Sequence, residues 1–343
     1  MSSSPLVVVG ICSPERRRYA HALGAATGRP VVRVSSSPST RVPLARSRDE
    51  SERVILDVDA TVDALHLEPC LRSPAAEIIC VVDAVDLLDD LFDDAPLAEP
   101  TAADDDRGDV GARARRAVSQ LESASHVCIV NWERMDTASL SVLMSLVAHL
   151  GPTARARLSR GAADDLRALR AGGGPAIVDN VLERAGWVRM LNDEHDPYLT
   201  DPRVTTERYE RLLPFHPERL VTALDMLDAG RAGRVVRSAG FCRVASRAQT
   251  LARWDQVGSA IWIDPLDSTM ESSLTAQELV FTGIDLMPGA VSRVLDDALL
   301  TATELAAGPE VWASWADPLP TWFPAPTAIL ERDTSTPDEL DRD

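Results

Sequence analysis

Between Gly10 and Arg17 the sequence reads GICSPERR, directly after the apolar run Leu6-Val7-Val8-Val9. A turn from a buried strand into a helix is where an α/β protein can cradle phosphates. The loop that does so reads G-x-x-x-x-G-K-[ST]: its backbone N–H groups close on the phosphates, the Lys neutralises them and the hydroxyl holds Mg²⁺. Counted from Gly10, Glu15 stands at the second glycine, Arg16 at the Lys and Arg17 at the hydroxyl. A carboxylate thus replaces the glycine that close backbone approach needs, and Arg16 brings a planar fork instead of a compact ammonium. Ser13-Pro14-Glu15 still reads as a helix start, with a capping hydroxyl, Pro at the first position and an acid in the first turn. A helix N-terminus attracts anions. The remnants Gly10, Ser13 and Arg16 therefore predict weak phosphate contact at most, and no catalytic residue.

Metal chemistry has little to stand on. The cysteines Cys12, Cys70, Cys80, Cys128 and Cys242 form no C-x-x-C pair, and thiolate clusters are what make tight zinc sites. They read as reduced, mostly core residues. His195 sits between Glu194 and Asp196, but three consecutive side chains cannot all face one ion. The eleven acids from Asp83 to Asp109 lack the alternation of a calcium loop and read as a solvated insertion. No metal ligand set is expected.

A second group is basic or titratable: His216, Arg219, Arg237 and Arg243. The chain carries 53 acids against 35 bases, a net charge of −18, and every base is arginine. In that setting four such residues predict a docking patch for an acidic protein partner, since arginine's fork makes paired hydrogen bonds and stacks on aromatics. The alternative is that Arg219 and Arg237 pair with acids such as Glu218 or Asp225. The acidic balance argues against direct nucleic-acid binding, which needs a basic stripe. No apolar run reaches the length of a membrane span and no leader opens the chain, so a cytoplasmic protein is expected.

The elements that must position these residues follow from periodicity. Leu6–Val9, Val31–Val34, Val54–Asp59, Glu77 onward and Val127–Val130 read as short strands, and the run EIICVVDAVDLL is apolar on both faces, as a covered parallel strand must be. Thr137–Leu150 is an amphipathic helix with His149 near its apolar face, a core or interfacial histidine. After Gly172-Gly173-Gly174, Ala176–Gly186 is expected to be a helix. Pro217 opens another whose Leu220, Leu224 and Leu227 share a face, with Gly230 as its stop. Val235–Ala245, Ala260–Asp264 and Glu278–Ile284 read as strands, Pro288–Leu305 as a helix, and Trp312–Phe323 as an aromatic cluster packed on the sheet.

Several blocks resemble a known family. Leu213-Pro214-Phe215-His216-Pro217-Glu218-Arg219-Leu220 and Val236-Arg237-Ser238-Ala239-Gly240-Phe241 are similar to the "RPFHPERL…GVVRSKGF" signature of the CobW family of P-loop GTPases and metallochaperones. Gly186 to Pro197, Gln277 to Asp285 and WASWADPLPTWF resemble further family blocks, the last in its actinobacterial members. The resemblance implies a P-loop-NTPase-like α/β sheet domain (1–174, with the acidic insertion near 89–112), a linker (175–204), a small α+β CobW C-terminal domain (205–324) and an acidic disordered tail (325–343). It also implies positions that this chain changes. Asp57 stands at the acidic position that serves Mg²⁺ or water, with a plain surface-turn acid as the alternative. Asn131 stands at the first position of the guanine-reading N-K-x-D, but Trp132 and Arg134 replace the Lys and the Asp, and Asp136 comes two residues late. The family's G-C-x-C-C metal motif is missing.

What the resemblance implies for function is a CobW-family GTP-binding-protein homologue linked to zinc homeostasis, non-hydrolysing and acting by protein–protein interaction through its C-terminal domain. A similar actinobacterial branch recruits a ribosome hibernation factor under zinc limitation. The alternatives are an active GTP-dependent metallochaperone and an enzyme that uses the α/β crevice for another nucleotide or cofactor. No tightly bound cofactor is expected, and GTP/Mg only weakly.

Overall fold

The computed structural model describes residues 6–35, 54–62, 77–97, 112–171, 181–266 and 277–322. Two sheets organise them. In the first, β1 (Leu6–Val9), β2 (Val31–Val34), β3 (Ile55–Val58), β4 (Glu77–Asp83), β5 (His126–Val130) and β6 (Arg155–Leu158) lie in the order β2-β3-β1-β4-β5-β6. Every pairing in it is parallel. The apolar runs of β1 and β4 are buried along their length because helices cover both faces. These are α1 (Ser13–Thr27), α2 (Leu87–Asp90), α3 (Arg113–Ser123), α4 (Thr137–Leu150) and α5 (Ala162–Ala171). Gly28 ends α1 in the left-handed conformation, which glycine adopts without a Cβ penalty.

The second sheet is antiparallel, in the order β10-β9-β8-β11-β7. Its strands are β7 (Val204–Arg211), β8 (Arg234–Cys242), β9 (Ala252–Val257), β10 (Ala260–Pro265) and β11 (Gln277–Ile284). A short α6 (Gly186–Leu191) precedes it, and α7 (Pro217–Asp228) packs Leu220 and Leu227 onto a core of Tyr209, Phe215, Trp254 and Phe281. The α/β class with a following α+β unit is therefore as expected.

Three expectations about elements need correction. The strand from Val235 ends at Cys242, and Val244–Ala245 leaves the sheet to bridge Phe215 instead. The helix expected over Pro288–Leu305 is broken into α8 (Ala290–Asp296) and α9 (Ala302–Ala307), because Thr301 and Glu304 form a capping box that starts a new helix. Of Ala176–Gly186, residues 176–180 lie outside the described residues; Val181–Arg184 is a 3₁₀ turn and α6 begins at Gly186. A Cβ at Gly186 would sit 1.9 Å from the His149 carbonyl oxygen, so only glycine lets this linker lie against α4. Cys70, most of the acidic insertion and the 325–343 tail lie outside the described residues.

Of the aromatic cluster, Trp322 packs on the sheet as expected, while Trp312 is buried against Ala245 and Leu300. α10 (Pro309–Trp312) buries Trp312. The Trp322 indole donates to the Ile263 carbonyl at 2.6 Å, and the Arg247 guanidinium lies 4.3 Å from the Trp322 ring.

Candidate functional site

The carboxyl ends of the parallel strands bring Gly10, Asp57, Asp83 and Asn131 to one edge of the sheet, as the turn after β1 and the strand order require. Arg16 closes that edge. Its side chain is fully buried: Nε donates to Asp57 Oδ1 at 2.7 Å, and Nη1 donates to the Gly10 carbonyl at 2.8 Å and to Ser13 Oγ at 3.4 Å. Nη2 approaches Asp59 Oδ2 at 3.9 Å. The same Asp59 takes a 2.6 Å bond from Arg33, and although burial works against its charge, Arg33 and the Thr61 amide hold its carboxyl below the usual range.

Gly10 has φ 149°, and a Cβ there would stand 2.4 Å from the Val81 carbonyl oxygen. That is the close approach that demands glycine, and it serves strand packing.

The sequence-predicted remnants are thus gathered but turned on one another. Ser13 does not cap α1; Cys12 holds the cap position with no side-chain capping bond, its thiol donating to the Val81 carbonyl instead, and the Ser13 hydroxyl is an acceptor for Arg16. Asp57 is no surface-turn acid: it is buried and its Oδ1 is occupied by Arg16. The residues present do not fit a magnesium–nucleotide. Arg16 bonds the loop's own carbonyl and the acid that would serve the metal, and positions 15 and 17 hold Glu15 and Arg17.

The base-reading position has changed in the same way. Asn131 adopts a left-handed φ of 57° and donates Nδ2 to Asp83 Oδ2 at 2.5 Å, while the Trp132 indole donates to the Ser159 carbonyl at 3.0 Å. Asp136 is the N-cap of α4, accepting from the Ala138 and Ser139 amides at 2.9 and 3.0 Å. Its hydrogen bonds, that from the Ser139 hydroxyl first, lower its pKa.

The described cysteines are all buried. Burial first, then Glu15, pushes the Cys12 thiol up to about 12, and Cys128 and Cys242 are pushed up to about 12 by burial as well. Such thiols stay protonated at neutral pH and are poor metal ligands. Among the described residues no three His, Cys, Asp or Glu side chains converge to hold an ion. His149 is the interfacial histidine expected: Nδ1 meets Thr206 Oγ1 at 2.8 Å and His195 Nε2 at 3.4 Å, between α4, β7 and the linker.

Of the expected docking patch, Arg237 must be removed. It is buried between the two sheets, donating Nε to Glu122 Oε1 of α3 at 2.8 Å and Nη1 to Asp255 Oδ1 of β9. Arg115 of α3 completes the network with a 2.8 Å bond to Asp255 Oδ2. Burial opposes the Arg237 charge, but Glu122 and Asp255 raise its pKa. Burial likewise opposes the Asp255 charge, and Arg237 and Arg115 hold it well below the carboxylate range.

The other three gather at one end of the antiparallel sheet. His216 is the N-cap residue of α7 and stacks on Trp315 with centroids 4.8 Å apart. Arg219 makes a two-pronged pair with Glu304 at 2.7 and 2.8 Å. The Arg243 carbonyl accepts from Phe215 N at 2.9 Å. Sequence reading named neither Glu122, Asp255 nor Glu304, because these partners lie 115, 18 and 85 residues from their arginines. The one local signal was the Thr301-x-x-Glu304 capping box.

Comparison with known proteins places the second sheet. Residues 204–299 match the family described as the cobalamin synthesis protein CobW C-terminal domain. The chain is 24% identical over 228 residues to the zinc-regulated GTPase metalloprotein activator 1 of Dictyostelium discoideum, a match covering 59% of this chain and 47% of that protein. The chain thus spans about half the length of the curated relative it matches. The Zn(II)-bound YjiA GTPase from E. coli covers 88% of this chain at 12% identity with a TM-score of 0.35, and a Zn(II)-bound triple mutant of YjiA does so at 11% and 0.35. The stretch that builds most of the second sheet, residues 204–299, is thus similar to the CobW C-terminal domain.

Proposed function

We propose that this chain is a CobW-family protein of zinc homeostasis that does not hydrolyse GTP and acts by binding a protein partner through its C-terminal domain. The observation that carries the first half is the buried Arg16–Asp57 pair. Phosphoryl transfer depends on positioning and charge neutralisation by loop, Lys and Mg²⁺. Here the residue at the Lys position is spent on the acid and the carbonyl beneath the loop, so GTP binds weakly at most. The metal link rests on the likeness to a zinc-regulated GTPase metalloprotein activator. The partner surface is the end of the antiparallel sheet with His216, Arg219, Arg243 and Trp315, where the acidic chain presents arginines beside an aromatic.

The test is a titration with a fluorescent GTP analogue, with and without Mg²⁺ and Zn²⁺, beside a turnover assay. Wild type is expected to bind weakly and show no turnover above buffer. The Glu15→Gly/Arg16→Lys/Arg17→Ser variant, which rebuilds the phosphate loop, is expected to bind at least tenfold more tightly. Wild-type turnover that Arg16→Ala abolishes would overturn the reading and favour an active metallochaperone. For the partner surface, a folded Arg219→Ala/Arg243→Ala variant should lose partners that wild type captures from zinc-starved cell lysate. Retention of every partner would refute it.

A further inference from the structure

A pocket of about 410 Å³ lies where the loop after α2 meets the end of the antiparallel sheet. That volume is within the range of small-molecule sites. Its apolar walls are Phe92, Leu227 and Val235, and its polar groups include Arg234, Asp228 and Ser259. Phe92 comes from the first sheet's half of the chain and the others from the second, so an occupant touches both.

Arg234 is the feature that points to a ligand. Its guanidinium lies 3.7 Å from the centre of the Phe92 ring. Among the described residues no carboxylate lies within ion-pair reach of it, whereas Arg237, Arg219 and Arg247 each have at least one. Arg234 is exposed at the mouth of the pocket and, in a chain with net charge −18, faces no acid among the described residues, which leaves its charge available to an anion. A guanidinium stacked on a ring keeps its N–H edge for a planar anion, which it grips with two parallel hydrogen bonds.

The remaining lining narrows the class. Asp228 also has no cation within reach among the described residues, so a second negative group on the ligand is disfavoured and a hydrogen-bond donor is favoured. Gln256 is already used: it accepts from Ser238 Oγ at 2.5 Å and donates to the Gly258 carbonyl at 3.2 Å. The backbone is held close as well, since a Cβ at Gly258 would stand 2.8 Å from the Leu91 carbonyl oxygen. We propose that this pocket binds a small organic monoanion with a flat apolar body and a hydrogen-bond donor, its charge on Arg234 and its flat face against the Phe92 and Leu227 wall. This site is independent of the Arg16 loop and of the partner surface.

The experiment is a fluorescence titration of the full chain with 1-anilinonaphthalene-8-sulfonate, an aromatic monoanion carrying an N–H. Wild type is expected to show one saturable site, weakened at least tenfold in Arg234→Gln and unchanged in the exposed control Arg18→Gln. Circular dichroism checks the fold. Ser259→Trp, at the exposed β9–β10 turn, fills the pocket from another wall and is expected to block the same site. Indole-3-carboxylate should compete better than the dianion phthalate. If wild type shows no saturable site, or if binding survives in both Arg234→Gln and Ser259→Trp, the proposal fails.

Discussion

Arg16 finds its partners nearby, at Gly10, six residues back, and on the adjoining strand at Asp57. Arg237 reaches Glu122, 115 residues earlier, on a helix of the other sheet. Both guanidiniums are buried and both face carboxylates, yet the first closes a loop on itself and the second ties two halves of the molecule together. A buried arginine at the turn after β1 fills that turn with its own contacts and leaves the parallel sheet in place. A buried arginine between layers adds an ion-paired link to the apolar core that joins them. The difference teaches that retention of a polar motif residue, as in Val236-Arg237-Ser238, is no sign of a surface role until its partners are known.

Breaking the larger tie comes first. Arg237→Met leaves Glu122 and Asp255 as poorly compensated buried acids, and removing one partner of a buried pair costs about 3–5 kcal/mol. Urea unfolding should show that loss, with part of it recovered in Arg237→Met/Glu122→Gln. A loss below about 1 kcal/mol would mean the network is not the tie described.

Arg16→Met should cost about 3 kcal/mol by stranding Asp57, with most of it restored in Arg16→Met/Asp57→Leu, because an apolar pair of similar volume replaces a buried ion pair at little cost. A double-mutant cycle measures the coupling. Additive losses would show that the pair is not a unit.

The histidines sharpen the contrast through pH. Burial, then the neighbouring His195, lowers His149 to about 4, and burial, then Arg155, lowers His126 to about 4. Each is neutral when folded, while the unfolded histidine takes up its proton near pH 6.5. Stability should therefore be full above about pH 6.5 and fall as the pH drops from there to about 4, by roughly 3 kcal/mol per histidine. His149→Gln should flatten part of that slope. Equal slopes in both proteins would refute the assignment.

The smallest effect is expected at Arg219–Glu304. The Arg219 hydrogen bonds hold Glu304 down at about 2 from an ordinary value of 4.5. Its contribution is present above pH 4.5 and is lost as the pH falls toward 2. The pair is solvent-screened, so Arg219→Ala should cost only about 0.5 kcal/mol. A much larger loss in thermal unfolding would make this a structural tie like Arg237, and no docking residue.

The sequence by itself determined the elements and their class. Apolar runs of four to seven residues, the Pro–Glu helix starts and Gly28 and Gly230 as stops are local features with local causes. It also determined that the turn after Gly10 departs from G-x-x-x-x-G-K-[ST], since Glu15, Arg16 and Arg17 occupy three positions that allow few substitutes. Only the tertiary structure decided what the replacements do. That Arg16 folds back onto Asp57, that Arg237 is a buried tie and not a surface, and that Arg234 meets no acid among the described residues depend on which carboxylates the packing of two sheets brings within about 4 Å. Charge partners carry no periodicity and no spacing rule, so residues far apart in the chain become a pair only when the sheets and helices between them have been placed.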